Sequence, residues 1–195
     1  MSEADRATER LRTQIASCTI CERHLPLGPR PMVQFSPRAR LLIIGQAPGT
    51  KVHASGVSWN DDSGDRLRGW LGLDAEVFYD PERVALMPMG FCYPGKASGG
   101  DAPPRRECRP AWHDRILDIL PADRLTLLVG AYAQAAYLPH TRRLSMTERV
   151  RRYEEFAPFV PLPHPSWRVR MWMANNPWYE KQVVPDVRRA VALRL

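Results

Sequence analysis

A chain of 195 residues with 44% hydrophobic content is long enough to bury a sizeable core, and one domain over residues 1–195 is expected. Its 28 Lys and Arg against 21 Asp and Glu give a net charge of +7, which suits a polyanionic partner without requiring one. No apolar run approaches the roughly 18 residues of a membrane span, and the start, MSEADRATER, lacks a signal-peptide core, so a cytoplasmic protein with no membrane partner is expected.

In chain order, the first element is a helix over about residues 3–17, followed by the polar stretch SCTICERH. Residues 40–44 close on LLII, an apolar run of the kind found in parallel strands buried on both faces, and this run enters GQAPG directly. A helix is expected over 64–71 and a second apolar strand over 83–87, leading into PMGFCYPG. The glycine- and proline-rich segment YPGKASGGDAPPRRE, residues 93–107, is longer than a plain connection needs. Helix 109–120, strand 125–129 and helix 131–138 come next, and Ser145 with Glu148 three positions on is a capping-box start for helix 145–156. Strand 159–162 runs into PHPSWR, and a last helix begins at Pro177. No internal repeat is visible. Strands alternating with helices predict an α/β fold, a three-layer α/β/α sandwich around a mainly parallel sheet of about four strands.

Open α/β sheets bind ligands at the carboxyl ends of their strands. GQAPG, PMGFCYPG and PHPSWR all fall at such ends. Gly45 and Gly49 permit close approach of the backbone, Pro48 fixes the turn, and Gln46 offers a donor and an acceptor without charge. A tight turn with no ligand satisfies the same five residues. The four cysteines, Cys18, Cys21, Cys92 and Cys108, form a C-x2-C pair, a long gap and a C-x15-C pair. In a cytosolic chain that pattern favours metal over disulfides, and the spacing fits zinc and an iron–sulphur cluster equally.

Together, GQAPG, the cysteine framework and the HPS tripeptide of His164–Ser166 resemble the uracil-DNA glycosylase superfamily, most closely its iron–sulphur branch, family 4. The likeness spans about residues 17–170. It implies a [4Fe–4S] cluster on Cys18, Cys21, Cys92 and Cys108, and a monomer acting on DNA that contains uracil or a related damaged base. It also implies that Gln46 positions the attacking water, that Ala47 and Pro48 line the pocket, and that Trp59 stacks on a flipped base. His164 would donate a hydrogen bond to the base as it leaves as an anion. Ser166, Trp167, Arg168 and Arg170 would form a loop that presses into the duplex and holds its phosphates.

Two positions depart from the family pattern. Family 4 usually has glutamate at the position of Gln46, so Asp61, or its neighbour Asp62, is the expected source of negative charge beside the sugar; a helix cap is the competing role. His53 is a further polar candidate for the pocket. Where the family has an asparagine that reads uracil, this chain has Pro88, which shifts base recognition to backbone groups near Met89 and Gly90 or to another side chain. The expectation is a monofunctional DNA glycosylase of base excision repair. A non-catalytic iron–sulphur protein that binds nucleic acid with the same fold, and an enzyme of free nucleosides, are the alternatives.

Overall fold

The computed structural model describes residues 2–195. Helix α1 (Glu3–Ala16) opens on a capping box in which Ser2 and Asp5 exchange backbone and side-chain bonds, and it leads past the first cysteine pair to strand β1 (Leu41–Ile44). Short helix α2 (Thr50–Ser55) and helix α3 (Asp62–Leu71) follow, then α4 (Ala75–Phe78) and strand β2 (Val84–Leu86). The 93–107 segment folds into a hairpin, β3 (Lys96–Ala97) with β4 (Gly100–Asp101), turned at Ser98-Gly99. A wide helical turn at Arg109–His113 runs into α5 (Asp114–Leu117); then come β5 (Leu125–Val129), α6 (Ala131–Tyr137), α7 (Met146–Arg151), β6 (Phe159–Leu162), α8 (Val169–Asn175) and α9 (Val184–Ala192).

The four long strands form one parallel sheet in the order β2-β1-β5-β6. Every residue of β1, β2 and β5 is buried, as the unbroken apolar runs require. Alternate side chains serve opposite faces. Leu41 and Ile43 pack with Leu67, Trp70 and Leu71 of α3 and Val184, Val187 and Val191 of α9. Leu42 and Ile44 pack with Leu11 and Ile15 of α1, Ile116 of α5 and Ala133 of α6. Helices on both faces of a parallel sheet make the three-layer sandwich, and each fully buried Leu or Ile contributes about 1.5–3 kcal/mol.

Strand order places the functional ends. From β1 the chain crosses to β2 on one side, and from β5 it crosses to β6 on the other, so the crevice between β1 and β5 is the topological switch point. The capping box at Ser145 forms, with Glu148 N–H on Ser145 Oγ at 3.2 Å and Ser145 N–H on Glu148 Oε2 at 2.7 Å, but the helix it starts is only six residues long before a 3₁₀ turn at Tyr153–Phe156. Four elements lie outside the pattern read from sequence: α2, α4, the hairpin, and α8, whose first turn holds Val169 and Arg170 where a loop was expected.

Candidate active site

The turn after β1 and the turn after β6 face each other across a cleft of about 1220 Å³. Gln46, Ala47, Pro48, Trp59, Asp61, Asp62, Pro88, His164, Ser166, Trp167, Arg168 and Arg170 all line it, so one concavity collects residues spread over more than 120 positions of sequence. His53 does not line it; its ring lies 5.8 Å from that of Tyr93, and its Nδ1 is buried without a partner.

His164 is held from several directions. Pro163 and Pro165 are buried on either side of it, and Arg66 of α3 donates to the Pro165 carbonyl at 2.5 Å. Its imidazole stacks on the Trp59 indole, with centroids 5.9 Å apart and planes 29° from parallel. Burial pushes its pKa down, while the charges of Asp61 and Asp101 oppose the shift, so at neutral pH the ring is uncharged and carries one N–H. Neither this imidazole nor the Gln46 amide bonds to another side chain or backbone group among the described residues, which leaves both able to address a ligand.

Trp59 is a strained residue, with φ of 59° in the left-handed region that non-glycine residues avoid. The edge of its indole abuts Gly45, where a Cβ would come within 2.6 Å of Cζ2. The glycine that seemed to make room for a ligand makes room for this ring. Asp61 accepts the Gly64 N–H at 2.9 Å as N-cap of α3, so the competing role foreseen for it is filled by one of its carboxylate oxygens. Asp62 pairs with Lys51 at 3.0 Å, almost wholly in solvent.

The wall after β2 differs from expectation. Met89 and Gly90 do not line the cleft, and their N–H groups donate to the carbonyls of Gly45 and Gln46 at 2.9 and 3.0 Å. These bonds weld the two strand-end turns together and remove both donors from any base. Pro88 lines the cleft, but its carbonyl points inward to His113 Nε2 at 3.2 Å. Burial lowers the His113 pKa to about 4, so this ring is neutral; it donates to Pro88 and accepts from the Tyr137 hydroxyl at 2.7 Å.

The outer lip is cationic and apolar. Trp167 and Met171 are 73% and 75% exposed, and the Arg168 guanidinium lies 5.1 Å over the Trp167 ring. Arg168 also donates to the Gly99 carbonyl at 2.6 Å, tying this turn to the β3–β4 hairpin. The hairpin itself lines the cleft through Lys96, Ser98, Gly99, Gly100 and Asp101, as does Arg66. Sequence reading missed these residues as site residues; the two-residue Ser-Gly turn between Lys-Ala and Gly-Asp was the available signal.

The four thiols are unpaired by disulfide, and Cys21, Cys92 and Cys108 are buried. Cys21 and Cys92 pack in one small cluster with Leu25, while Cys18 packs against the core cluster that holds Cys108. Burial pushes Cys92 up to about 11 and Cys108 up to about 12, with added repulsion from the neighbouring cysteines in each case. Phe91 N–H points at Cys108 Sγ at 3.4 Å, and the Arg30 backbone serves Cys92 in the same way. Thiols from two chain segments thus lie near enough to repel one another as thiolates, with N–H groups aimed at two of the sulphurs. Among the described residues no set of three His, Cys, Asp or Glu side chains is arranged to hold a metal ion.

The family model described as the uracil DNA glycosylase superfamily matches residues 32–188, and the chain belongs to that superfamily. The matched span contains both cleft-forming turns, the hairpin and the second cysteine pair; Cys18 and Cys21 lie ahead of it.

Proposed function

We propose that this protein is a monofunctional DNA glycosylase that hydrolyses the N-glycosidic bond of uracil, or of a related damaged base, after flipping the nucleotide into the cleft. The observation that carries this reading is the pairing, across one cleft, of an uncharged His164 with the unengaged amide of Gln46, beneath a lip of Trp167, Arg168 and Arg170. Unstacking a base costs a few kcal/mol, which phosphate contacts from Arg168 and Arg170 and insertion of Trp167 would offset. As the sugar–base bond breaks, electrons collect on the base. A neutral imidazole donates to the base oxygen that becomes negative, and that bond strengthens only as the charge develops. Ala47 and Pro48 shape the pocket floor, and Ser166 offers a hydroxyl to a phosphate. With the N–H groups of Met89 and Gly90 engaged and Pro88 offering none, Gln46 is left on that wall to place the water or to read the base edge.

The four cysteines belong to the same proposal, as ligands of a [4Fe–4S] cluster. When bound, such a cluster would tie the segment ahead of β1 to the 93–107 segment and so brace the hairpin side of the cleft; none of the bond-breaking passes through it.

The test is incubation with a uracil-containing oligonucleotide followed by hot alkali, which cuts at abasic sites. Strand scission at the uracil is the expected result. Duplex binding without scission over a panel of damaged bases would point instead to a binding protein, a possibility kept in view by the missing carboxylate at Gln46. Release of uracil from free deoxyuridine at a comparable rate would point to a nucleoside hydrolase.

A further inference from the structure

The turn after β1 carries no carboxylate of its own, yet one reaches it from another part of the chain. We propose that Asp101, on the β3–β4 hairpin, is the catalytic carboxylate of this cleft, taking a proton from the attacking water and facing the sugar as it becomes cationic. The assignment rests on the glycosylase reading above.

Asp101 lies directly over the GQAPG turn. A Cβ added to Gly49 would sit 3.2 Å from Asp101 Oδ2, so the second glycine of that turn makes room for this carboxylate. Gly49 is three residues beyond Gln46, and Asp101, Gln46 and His164 line the same cleft. The other oxygen, Oδ1, pairs with Lys96 Nζ at 2.8 Å across the hairpin, where Lys96 and Asp101 are register partners. An exposed ion pair of this kind adds little stability, but it holds the rotamer that turns Oδ2 toward Gly49. The hairpin is anchored at both ends, by Ala102 N–H on the Gly95 carbonyl at 2.8 Å and by Arg168 on Gly99.

The other acidic residues of the cleft are less suited. Asp61 spends an oxygen capping α3, and the side chains of Asp62 and Asp65 are 85% and 74% exposed and paired with Lys51 and Arg68. The Asp101 side chain is 33% exposed, less than those of Asp62 and Asp65, and after Asp61 its charge is the one felt at His164.

The step balances. Water oxygen bonds to the sugar C1′ as the C1′–N bond breaks, and the bonding pair leaves with the base as an anion, held by His164. The water proton passes to the Asp101 carboxylate and then through solvent to the base nitrogen, so the products are a hydroxylated abasic sugar and a neutral base. General-base assistance of this kind is typically worth about 10²–10⁴-fold.

The experiment is single-turnover cleavage of a uracil duplex by four proteins: wild type, Asp101→Asn, Lys96→Met, and Asp101→Asn combined with Gln46→Glu. Binding to a duplex carrying a tetrahydrofuran abasic site is measured in parallel. Asp101→Asn should lower the rate about 10²-fold or more without weakening binding. Lys96→Met, which leaves the carboxylate in place but frees its rotamer, should lower the rate by clearly less than Asp101→Asn does. Gln46→Glu should restore at least tenfold in the double variant by supplying a carboxylate from the strand end. An unchanged rate in Asp101→Asn, an equal loss in Lys96→Met, a loss matched by weaker binding, or no rescue in the double variant each overturns the assignment alone. Wild-type protein that cleaves no damaged duplex overturns the glycosylase reading and this assignment with it.

Discussion

Replacing Gly45 by alanine tests whether the first glycine of the β1 turn exists for the Trp59 ring. The new Cβ would lie 2.6 Å from Trp59 Cζ2 and 3.4 Å from Cη2. Carbon atoms rest at about 3.5–4.0 Å, so a rigid indole has to retreat by roughly 1 Å. It has little freedom to do so: the backbone is already at φ 59°, the ring packs on the core of α3 and α9, and its cleft side stacks on His164. Overpacking of this kind costs about 1–3 kcal/mol. At about 2–4 °C per kcal/mol for a domain of this size, Gly45→Ala should melt about 2–12 °C lower. His164 moves with its stacking partner, and a misplacement near 1 Å typically lowers turnover about 10²-fold. Circular dichroism melting and single-turnover cleavage measure the two effects. Trp59→Phe in the same background removes the clashing ring and should recover most of the lost stability. Gly69→Ala is the control, since its Cβ meets nothing within 4 Å inside helix α3, and it should raise stability by about 0.5–1 kcal/mol. A Gly45→Ala protein with wild-type melting and wild-type turnover would refute the role given to Gly45 and to the Trp59–His164 stack.

His164→Ala should lower cleavage about 10²–10³-fold with DNA affinity nearly intact, because the lost donor acts as the base becomes an anion; a proportionate loss of affinity would make it a binding residue. Freshly purified protein should be brown, and Cys92→Ser should lose both the visible absorption and the ordering of the 93–107 segment; colourless protein with stoichiometric zinc, prepared without oxygen, would rule out the cluster. Neutralising Arg170 should flatten the salt dependence of binding by about one counterion on every duplex alike, and an unchanged slope would place it off the interface. His113 is neutral when folded and ionises near its ordinary value of 6.5 when unfolded, so its contribution is intact above that pH and is lost as pH falls toward about 4. Urea unfolding at pH 7.5 and pH 5 should show wild type losing about 2 kcal/mol more than His113→Gln, and equal losses would sink the assignment.

The α/β architecture was legible because its causes are local. LLII, VAL and LTLLV are unbroken apolar runs that only a sheet covered on both faces can use, and the Ser145–Glu148 capping box is written within four residues. GQAPG and PHPSWR could be placed at strand ends for the same reason. Partners across the fold were not legible. Nothing in the sequence says that Gly45 faces Trp59, that Gly49 faces Asp101, or that the N–H groups of Met89 and Gly90 are spent on the β1 turn. Those contacts depend on strand order, which sets β1 beside β5 and returns the hairpin over the GQAPG turn. A short motif fixes which groups a turn offers, because backbone geometry is decided within a few residues. Which of those groups stay open to a ligand is decided by atoms that arrive from 10 to 120 positions away, and only the packed chain brings them together.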